Sequence, residues 1–278
     1  MAIEAAVIQY RQDLVPAFEQ RMSMLRNATT KEMVRSGNQA TFLVSGAQGD
    51  TATTRGTNGL IAYNNPQNSQ LTATLVEKHA AYKLTGFNVF ASQGDQVKVM
   101  RNASISVINR DIDLTILAEL ANATQDFGTG TLTLSTVLGA VAALGNNDVP
   151  TEDIDNMWGV ISPAARAYIM QTTEATSRDY VDVQPLVGPS RKVWRWAGVN
   201  WIVTSLITGK AGASELLYVW HRDALGYAIN IGEDKIFAGY DEQQGYSWSR
   251  AEVFHGAKIL QDTGIIKITH DGSAFVTT

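Results

Sequence analysis

Apolar residues near the N-terminus recur at helical spacing. Leu14, Phe18, Met22 and Leu25 are three to four residues apart, with polar and charged residues between them. This spacing predicts an amphipathic helix within an N-terminal arm. Two interpretations stay open: the helix folds back onto the core of its own chain, or it lies along a neighbouring copy.

Residues 37–70 differ in composition from the segment before them and are rich in glycine, threonine, asparagine and glutamine. A polar stretch of this length is uncommon inside a compact domain. Apolar and polar residues alternate on both sides of it, at 40–45 and 71–87, and each run predicts a strand. We therefore expect a long two-stranded projection. Because such a ribbon has no core of its own and is marginally stable in water, it should need a surface to lie on.

A long helix is predicted after Gly94, with Asp95 as its N-cap. Apolar residues from Val97 to Leu120 form a stripe at mostly four-residue spacing, and a second stripe joins it in the C-terminal half. If this helix runs to Ala123, it is on the order of 40 Å long. The two stripes predict that its C-terminal half is buried on more than one side.

The rest of the chain mixes helices and strands. Ser135 is the expected N-cap of a short helix that ends at Gly145, and Ser162 with Pro163 opens a helix that continues to about Thr176. This succession predicts an α+β or mixed α/β domain. The predicted strands are Met157–Ile161, Val193–Trp196, Val199–Ser205, Leu216–Trp220, Ala224–Ile231, Tyr246–Phe254 and Gly264–Thr269, and residues 255–261 are read as a connection between the last two.

Composition narrows the possible classes of protein. Of 278 residues, 45% are hydrophobic and 18% are charged, as in ordinary globular proteins. The apolar stretches fall short of the roughly 20 residues that span a bilayer, so we expect neither a signal peptide nor a membrane anchor. The chain has no cysteine, which removes disulfides and thiolate chemistry and fits synthesis in a reducing cytosol. A net charge of -5 without long basic runs argues against a dedicated nucleic-acid binder.

No arrangement of residues in the sequence points to catalysis. The four histidines are scattered and match no metal-ligand spacing, and both the nucleophile elbow and the phosphate loop are missing. Asp111 and Asp113 are two residues apart on the predicted helix, so they face different sides. We therefore predict no catalytic residue, no metal site, no cofactor and no enzymatic activity.

Large aromatic residues cluster in the second half of the chain. Rings of this size most often build cores, and a platform for a sugar or nucleotide is the alternative. The cluster consists of Trp194, Trp196, Trp201, Tyr218 and Trp220.

Three short sequence segments, and their order along the chain, resemble those of a known family. They are Arg35 to Phe42, His221 to Gly226, and Arg250 to Leu260. Over essentially the whole chain, the order of features resembles the Hong Kong 97 type (HK97-like) major capsid proteins of tailed bacteriophages. The resemblance implies an α+β fold with an N-terminal arm (1–34), an extended loop hairpin (35–87), a spine helix with the first part of a peripheral domain (88–149), an axial domain (150–230) and the second part of the peripheral domain (231–278).

The resemblance also implies a function. The chain would assemble through pentamers and hexamers into the icosahedral head that encloses a phage's double-stranded DNA, and would be found in the virion after assembly in the host cytoplasm. Such subunits need long reaching elements that gain burial only between copies. The candidate contact residues are Phe18, Leu25, Arg35, Phe42, Val44, Arg55, Leu60 and Ile61, with packing inside the chain as the alternative for each.

Partners and competing interpretations follow from the same comparison. Residues 36–77 contain no lysine, so the lysine-to-asparagine crosslink of some family members is not expected. Because the chain starts at the arm, we expect a separate scaffolding protein, together with a portal, and a decoration protein is left open. DNA would be enclosed without sequence-specific binding. The alternatives are an encapsulin-like nanocompartment shell and a soluble carbohydrate-binding or hydrolytic protein that uses the aromatic cluster.

Overall fold

The computed structural model describes residues 20–46, 50–65, 67–91, 95–171, 193–232 and 235–275. Phe18, and with it most of the predicted arm helix, lies outside the described residues. The helices are α1 (Gly86–Ala91), α2 (Gln96–Leu120), α3 (Leu134–Asn146) and α4 (Pro163–Gln171). The strands are β1 (Thr30–Val34), β2 (Gln39–Gly46), β3 (Gln67–Thr74), β4 (Val76–Thr85), β5 (Asp126–Gly130), β6 (Met157–Ile161), β7 (Val193–Trp196), β8 (Val199–Val203), β9 (Glu215–His221), β10 (Leu225–Asn230), β11 (Lys235–Asp241), β12 (Tyr246–Ile259) and β13 (Ile265–His270).

The chain forms two compact units, and α2 and β12 contribute residues to both. Among the described residues, the first unit comprises 20–23 and those within 77–112 and 232–254. The second unit comprises those within 24–76, 113–231 and 255–275. In the first unit, β11 and the first half of β12 pair antiparallel, and β4 also pairs with β12. The N-terminal half of α2 belongs to the same unit, where the buried Ser104 lies 3.5 Å from Ser249, Oγ to Oγ.

The second unit contains the larger core. Its six-stranded sheet has the order β5-β13-β9-β6-β8-β7, with α3 packed against β13. Trp201, Tyr218 and Trp220 are almost completely buried in it and Trp196 is 7% exposed, so the prediction that these rings build a core is confirmed for the four. Burial raises the pKa of Tyr218 to about 12. The side chain of Trp194 lies outside the described residues.

The part of the five-stranded sheet that lies in this unit joins distant parts of the chain. Strand β1 runs parallel to β10, and β10 pairs antiparallel with the last part of β12. The indole of Trp220 donates a hydrogen bond of 2.8 Å to the carbonyl of Ala28, which fixes the segment that leads into β1.

The long helix begins close to where the sequence predicts. The carboxylate of Asp95 accepts a hydrogen bond of 3.0 Å from the amide of Lys98, the geometry of an N-cap. The helix ends at Leu120 rather than Ala123. Ile112, Ile116 and Leu120 are fully buried, as the stripe of apolar residues in its C-terminal half requires.

Three further sequence predictions are wrong, the first because the run 71–87 is not one strand but contains the end of β3, the whole of β4 and the start of α1. Ser135 does not cap α3, because Thr133, two residues earlier, is the N-cap and its Oγ accepts from the amide of Thr136. Strand β12 does not end at Phe254, and residues 255–259 are not a connection, since they pair with β10. His255 and Gly256 resemble linker residues, but a side chain at Gly256 would collide with the Thr74 carbonyl. The glycine is therefore a requirement of close strand packing.

The five-part domain division expected from the resemblance stays a prediction. Strands β5 and β13, which it assigns to the peripheral domain, lie in the same sheet as strands of the expected axial domain. None of the helices in the described ranges has both the length and the apolar character needed to cross a membrane.

Candidate subunit interface

The hairpin formed by β2 and β3 loses its burial steadily from base to tip. The strands pair antiparallel from Gln39↔Thr74 to Gly46↔Gln67. On one face, the pair Ala40 and Ala73 is buried, whereas Val44, further along, is only half-buried. The hairpin therefore leaves the body of its unit gradually, and only its base is held by intramolecular packing.

A small apolar cluster anchors the base. Phe42 is 8% exposed and clusters with Ala40, Ala73 and Ala228. A Cβ placed on Gly226 would lie 3.0 Å from the ring of Phe42, so the ring lies directly against the backbone of β10. The absence of a side chain at Gly226 is what allows this contact.

The tip of the hairpin, residues 50–65, is exposed at every position. Its shape comes from its own hydrogen bonds. The amide of Gly56 donates to the carbonyl of Leu60 at 2.8 Å, and the guanidinium of Arg55 donates to the carbonyl of Gly59 at 3.1 Å. Gly59 has a φ of +77°, a conformation in which a side chain would be strained. The tip is thus an ordered turn without a core.

Three large apolar side chains of the tip are left exposed by the part of the chain that the structure describes. Leu60 is 68% exposed, Ile61 46% and Tyr63 90%. Asp50 and Arg55 carry the only charges between residues 36 and 76. A projecting surface that is apolar and nearly uncharged is typical of a site that binds another protein.

The other candidate contact residues are more scattered. Arg35 is exposed just before β2, on the same segment as the hairpin. Leu25, however, is fully buried and packs within its own unit, and its role as a contact between copies stays a prediction. Phe42 does the same at the hairpin base. The structure therefore brings Arg55, Leu60 and Ile61 together on one exposed tip and separates them from Leu25 and Phe42.

Sequence reasoning missed the residue that fixes the start of the second unit. The carboxylate of Asp113 on α2 is fully buried and accepts hydrogen bonds from the amides of Met24 at 3.0 Å and Leu25 at 3.2 Å. An aspartate in the apolar stripe of a helix was the signal, because a buried carboxylate needs donors from elsewhere. Asp113 thus ties the segment that follows the arm to the long helix.

A comparison with models of protein families shows where the chain belongs. The family described as phage capsid protein matches residues 2–272, nearly the whole chain. The chain belongs to the phage capsid protein family. A comparison with curated protein sequences finds no match.

Solved structures from several phages share the fold of this capsid protein. The capsid of Ralstonia phage GP4 has a TM-score of 0.75 at 10% identity, covering 99% of this chain and 98% of that chain. Cyanophage P-SCSP1u gives 0.73 at 13% identity, with 95% and 92% covered. Mycobacterium phage Che8 gives 0.72 at 14%, with 96% and 98% covered. The HK97-like α+β fold predicted from the sequence is confirmed, and neither the encapsulin-like shell nor the carbohydrate-binding protein is favoured.

The capsid protein has a second exposed surface, which the sequence did not reveal. The first six residues of β11 are all exposed, including Phe237 at 40% and Tyr240 at 59%. The guanidinium of Arg250 lies 5.4 Å from the centre of the Phe237 ring. Beside it, an open groove of about 450 Å³ is lined by Ala81, Tyr82, Lys83, Tyr246, Trp248, Ser249 and Arg250. This mixture of cations and rings differs from the nearly uncharged hairpin tip.

The histidines of the capsid protein take structural positions. His221, His255 and His270 are buried, and His79 lies 2.8 Å from the carboxylate of Glu77. Within the described ranges, no group of three or more His, Cys, Asp or Glu side chains is placed to hold a metal ion.

Proposed function

We propose that this chain is the major capsid protein of a tailed bacteriophage and assembles with copies of itself into a closed shell. Membership of the capsid family gives it a structural role. Its structural relatives include the capsid of Ralstonia phage GP4 and the capsid of a native GTA particle. The single observation that carries the proposal is the hairpin tip: an ordered, fully exposed turn that presents Leu60, Ile61 and Tyr63.

In this proposal the hairpin tip docks on a neighbouring copy, and rings of five and six subunits build the icosahedral shell. Contacts in which one surface binds a different surface of the next copy close into such rings. The tip has too little apolar surface inside its own chain to gain stability there, so assembly supplies the burial that it lacks. Arg35, Val44 and Arg55 stay candidate contacts, as residues of the same projection.

The shell would enclose double-stranded DNA without reading its sequence. The net charge of -5, from 22 basic and 27 acidic residues, supports this part of the proposal, because a strongly basic inner wall would bind packaged phosphate tightly. A separate scaffolding protein, a portal and assembly in the host cytoplasm complete the proposal, and we propose no catalytic activity.

The double variant Leu60→Ser, Tyr63→Ser tests the hairpin tip. Full burial of one large apolar side chain is worth about 1.5–3 kcal/mol, so the two substitutions should remove roughly 3 kcal/mol of contact per subunit. Each 1.4 kcal/mol is tenfold in an equilibrium constant. We therefore expect the concentration needed for assembly, measured by light scattering, to rise about a hundredfold.

The variant Thr54→Ser is the matched control, since it changes the same tip without removing a large apolar side chain. It should assemble as the unmodified chain does. Circular dichroism and urea unfolding should be the same for all three proteins, because every described residue of the tip is exposed. Unchanged assembly of the double variant would refute docking through the tip while leaving the family unaffected.

A further inference from the structure

A buried carboxylate and a buried imidazole lie side by side in the six-stranded sheet. The antiparallel pairing of β9 and β13 places Glu215 directly opposite His270. Side chains that are directly opposite in such a pair have Cβ atoms about 4.5–5.5 Å apart. Both residues are 0% exposed. Burying an ionisable group costs free energy unless it is paired or hydrogen-bonded. The hydrogen-bond partners of Glu215 and His270 therefore indicate how each side chain is held.

Glu215 is held by three separate parts of the second unit. Its carboxylate accepts a hydrogen bond from the hydroxyl of Ser162 and one of 2.7 Å from the amide of Ala211. The Ser162 hydroxyl in turn accepts from the amide of Ala165, in the first turn of α4, at 2.9 Å. A Cβ on Gly272 would lie 2.5 Å from the carboxyl carbon of Glu215. The backbone after β13 therefore closes over the carboxylate.

His270 accepts a hydrogen bond rather than donating one at Nδ1. The amide of Leu132 donates to this nitrogen at 3.0 Å, so Nδ1 carries no proton and the neutral ring holds its proton on Nε2. Among the described residues, Nε2 has no hydrogen-bond partner. The ring lies perpendicular to that of Tyr168, with centroids 4.9 Å apart. The hydrogen bond from Leu132 can therefore form only with the neutral ring of His270.

We propose that His270 is a proton-operated latch on residues 131–133, the connection between β5 and α3. Protonation turns Nδ1 from an acceptor into a donor, so the amide of Leu132 loses its partner and the connection must shift. The proton comes from solvent and no bond between heavy atoms changes. The imidazolium then gains Glu215 as a directly opposed anion. The chain therefore has a second state in acid. In that state, protonated Nδ1 of His270 donates a hydrogen bond to a different part of the connection.

Within the described ranges, two acidic residues are direct neighbours of His270, and Tyr168 packs against it from α4, whose Arg166 is exposed. Glu215 faces it from β9, and Asp271 follows it in the chain. Helix α3 carries no charged residue. Asp126, on β5, lies 3.6 Å from Lys267. Burial lowers the pKa of His270, while Glu215, the carbonyl of Gly130 and Asp271 act in the opposite direction.

The sign of the effect on stability follows from this lowered pKa. The unfolded chain binds the proton at a higher pH than the folded chain does. The contribution of neutral His270 is therefore complete above the ordinary histidine pKa of about 6.5 and is lost as the pH falls through the lower folded value. The latch opens on acidification, not on alkalinisation.

Hydrogen exchange of the full chain, followed by mass spectrometry from pH 7.5 to pH 4.5, tests the latch. After correction for the intrinsic pH dependence of exchange, the peptide that contains Leu132 should lose protection with a midpoint below pH 6.5. In His270→Asn, the side-chain oxygen takes approximately the place of Nδ1 and accepts at every pH, so protection should stay constant. The exposed-histidine variant His79→Gln should retain the wild-type transition.

Glu215→Gln supplies an independent readout, because it removes the charge that favours protonation but keeps the size of the side chain. The midpoint of the transition should move to lower pH, a result that a purely structural role would not produce. Constant protection of Leu132 in the unmodified chain, or the same transition in His270→Asn, would overturn the proposal. None of these outcomes depends on docking through the hairpin tip, so the two proposals can fail separately.

Discussion

The base of the hairpin should stabilise the chain itself, and Phe42→Ala measures that contribution. Replacing a buried phenylalanine by alanine costs about 3–5 kcal/mol. Phe42 is 8% exposed, and three of its neighbours in the cluster are alanines, which cannot fill the space left behind. The ring also lies near the edge of the body, where some collapse is possible. We therefore expect a loss of about 3 kcal/mol, a large part of the 5–15 kcal/mol typical of a folded domain.

Leu43→Ala is the matched control on the next residue of the same strand. Leu43 points to the opposite face and is 66% exposed, so its truncation should cost less than about 1 kcal/mol. Urea unfolding of both variants, on subunits kept unassembled by dilution, should place the midpoint of Phe42→Ala lower by roughly 1–1.5 M at an m-value of about 2–3 kcal/mol/M. Equal shifts for the two variants would refute the division of the hairpin into an anchored base and a free tip.

Two further substitutions test the packing of the second unit. Asp113→Asn should lower the free energy of unfolding by about 2 kcal/mol, because one buried amide loses its charged acceptor. The control Asp111→Asn should cost less than about 1 kcal/mol, since the contact of Asp111 with a lysine is half-exposed. Urea unfolding distinguishes the two variants, and equal losses would contradict the role of Asp113 as a buried acceptor. Gly256→Ala should destabilise the chain by about 1–3 kcal/mol, because the added methyl group collides with the Thr74 carbonyl. The control Gly46→Ala meets open space and should leave the stability unchanged. If Gly256→Ala has no effect on thermal unfolding, β3 and β12 can separate at this point.

The sequence predicted best where one short-range rule decides the structure. The N-cap at Asp95 and the apolar stripe of α2 depend on neighbouring residues alone, and both are confirmed. The prediction of the α3 cap failed because Thr133 and Ser135 are both residues that favour the N-cap position, and the sequence alone does not show at which of them the helix begins. The prediction that β12 ends at Phe254 failed because residues 255–259 pair with β10, which lies about 30 residues earlier in the chain. This pairing overrides the linker-like character of His255 and Gly256.

The candidate interface was predictable in part for the same reason. A polar, glycine-rich stretch between two strand-like runs indicates a projection, and its exposed tip with Leu60 and Ile61 follows from that pattern. The pattern does not show where the projection leaves the body, so it does not distinguish Phe42, which is buried at the base, from the residues of the exposed tip. Asp113, Glu215 and His270 could not be connected to their partners from the sequence, because those partners come from distant segments.

The most direct test of the central proposal is the mass and shape of what the purified full chain forms. Light scattering with negative-stain imaging should be carried out on the protein expressed alone and together with a candidate scaffolding protein. The proposal predicts closed shells, tubes or rings of five and six subunits, with the double variant of the hairpin tip requiring far higher concentrations. A monomer of 30.2 kDa in every condition would contradict it.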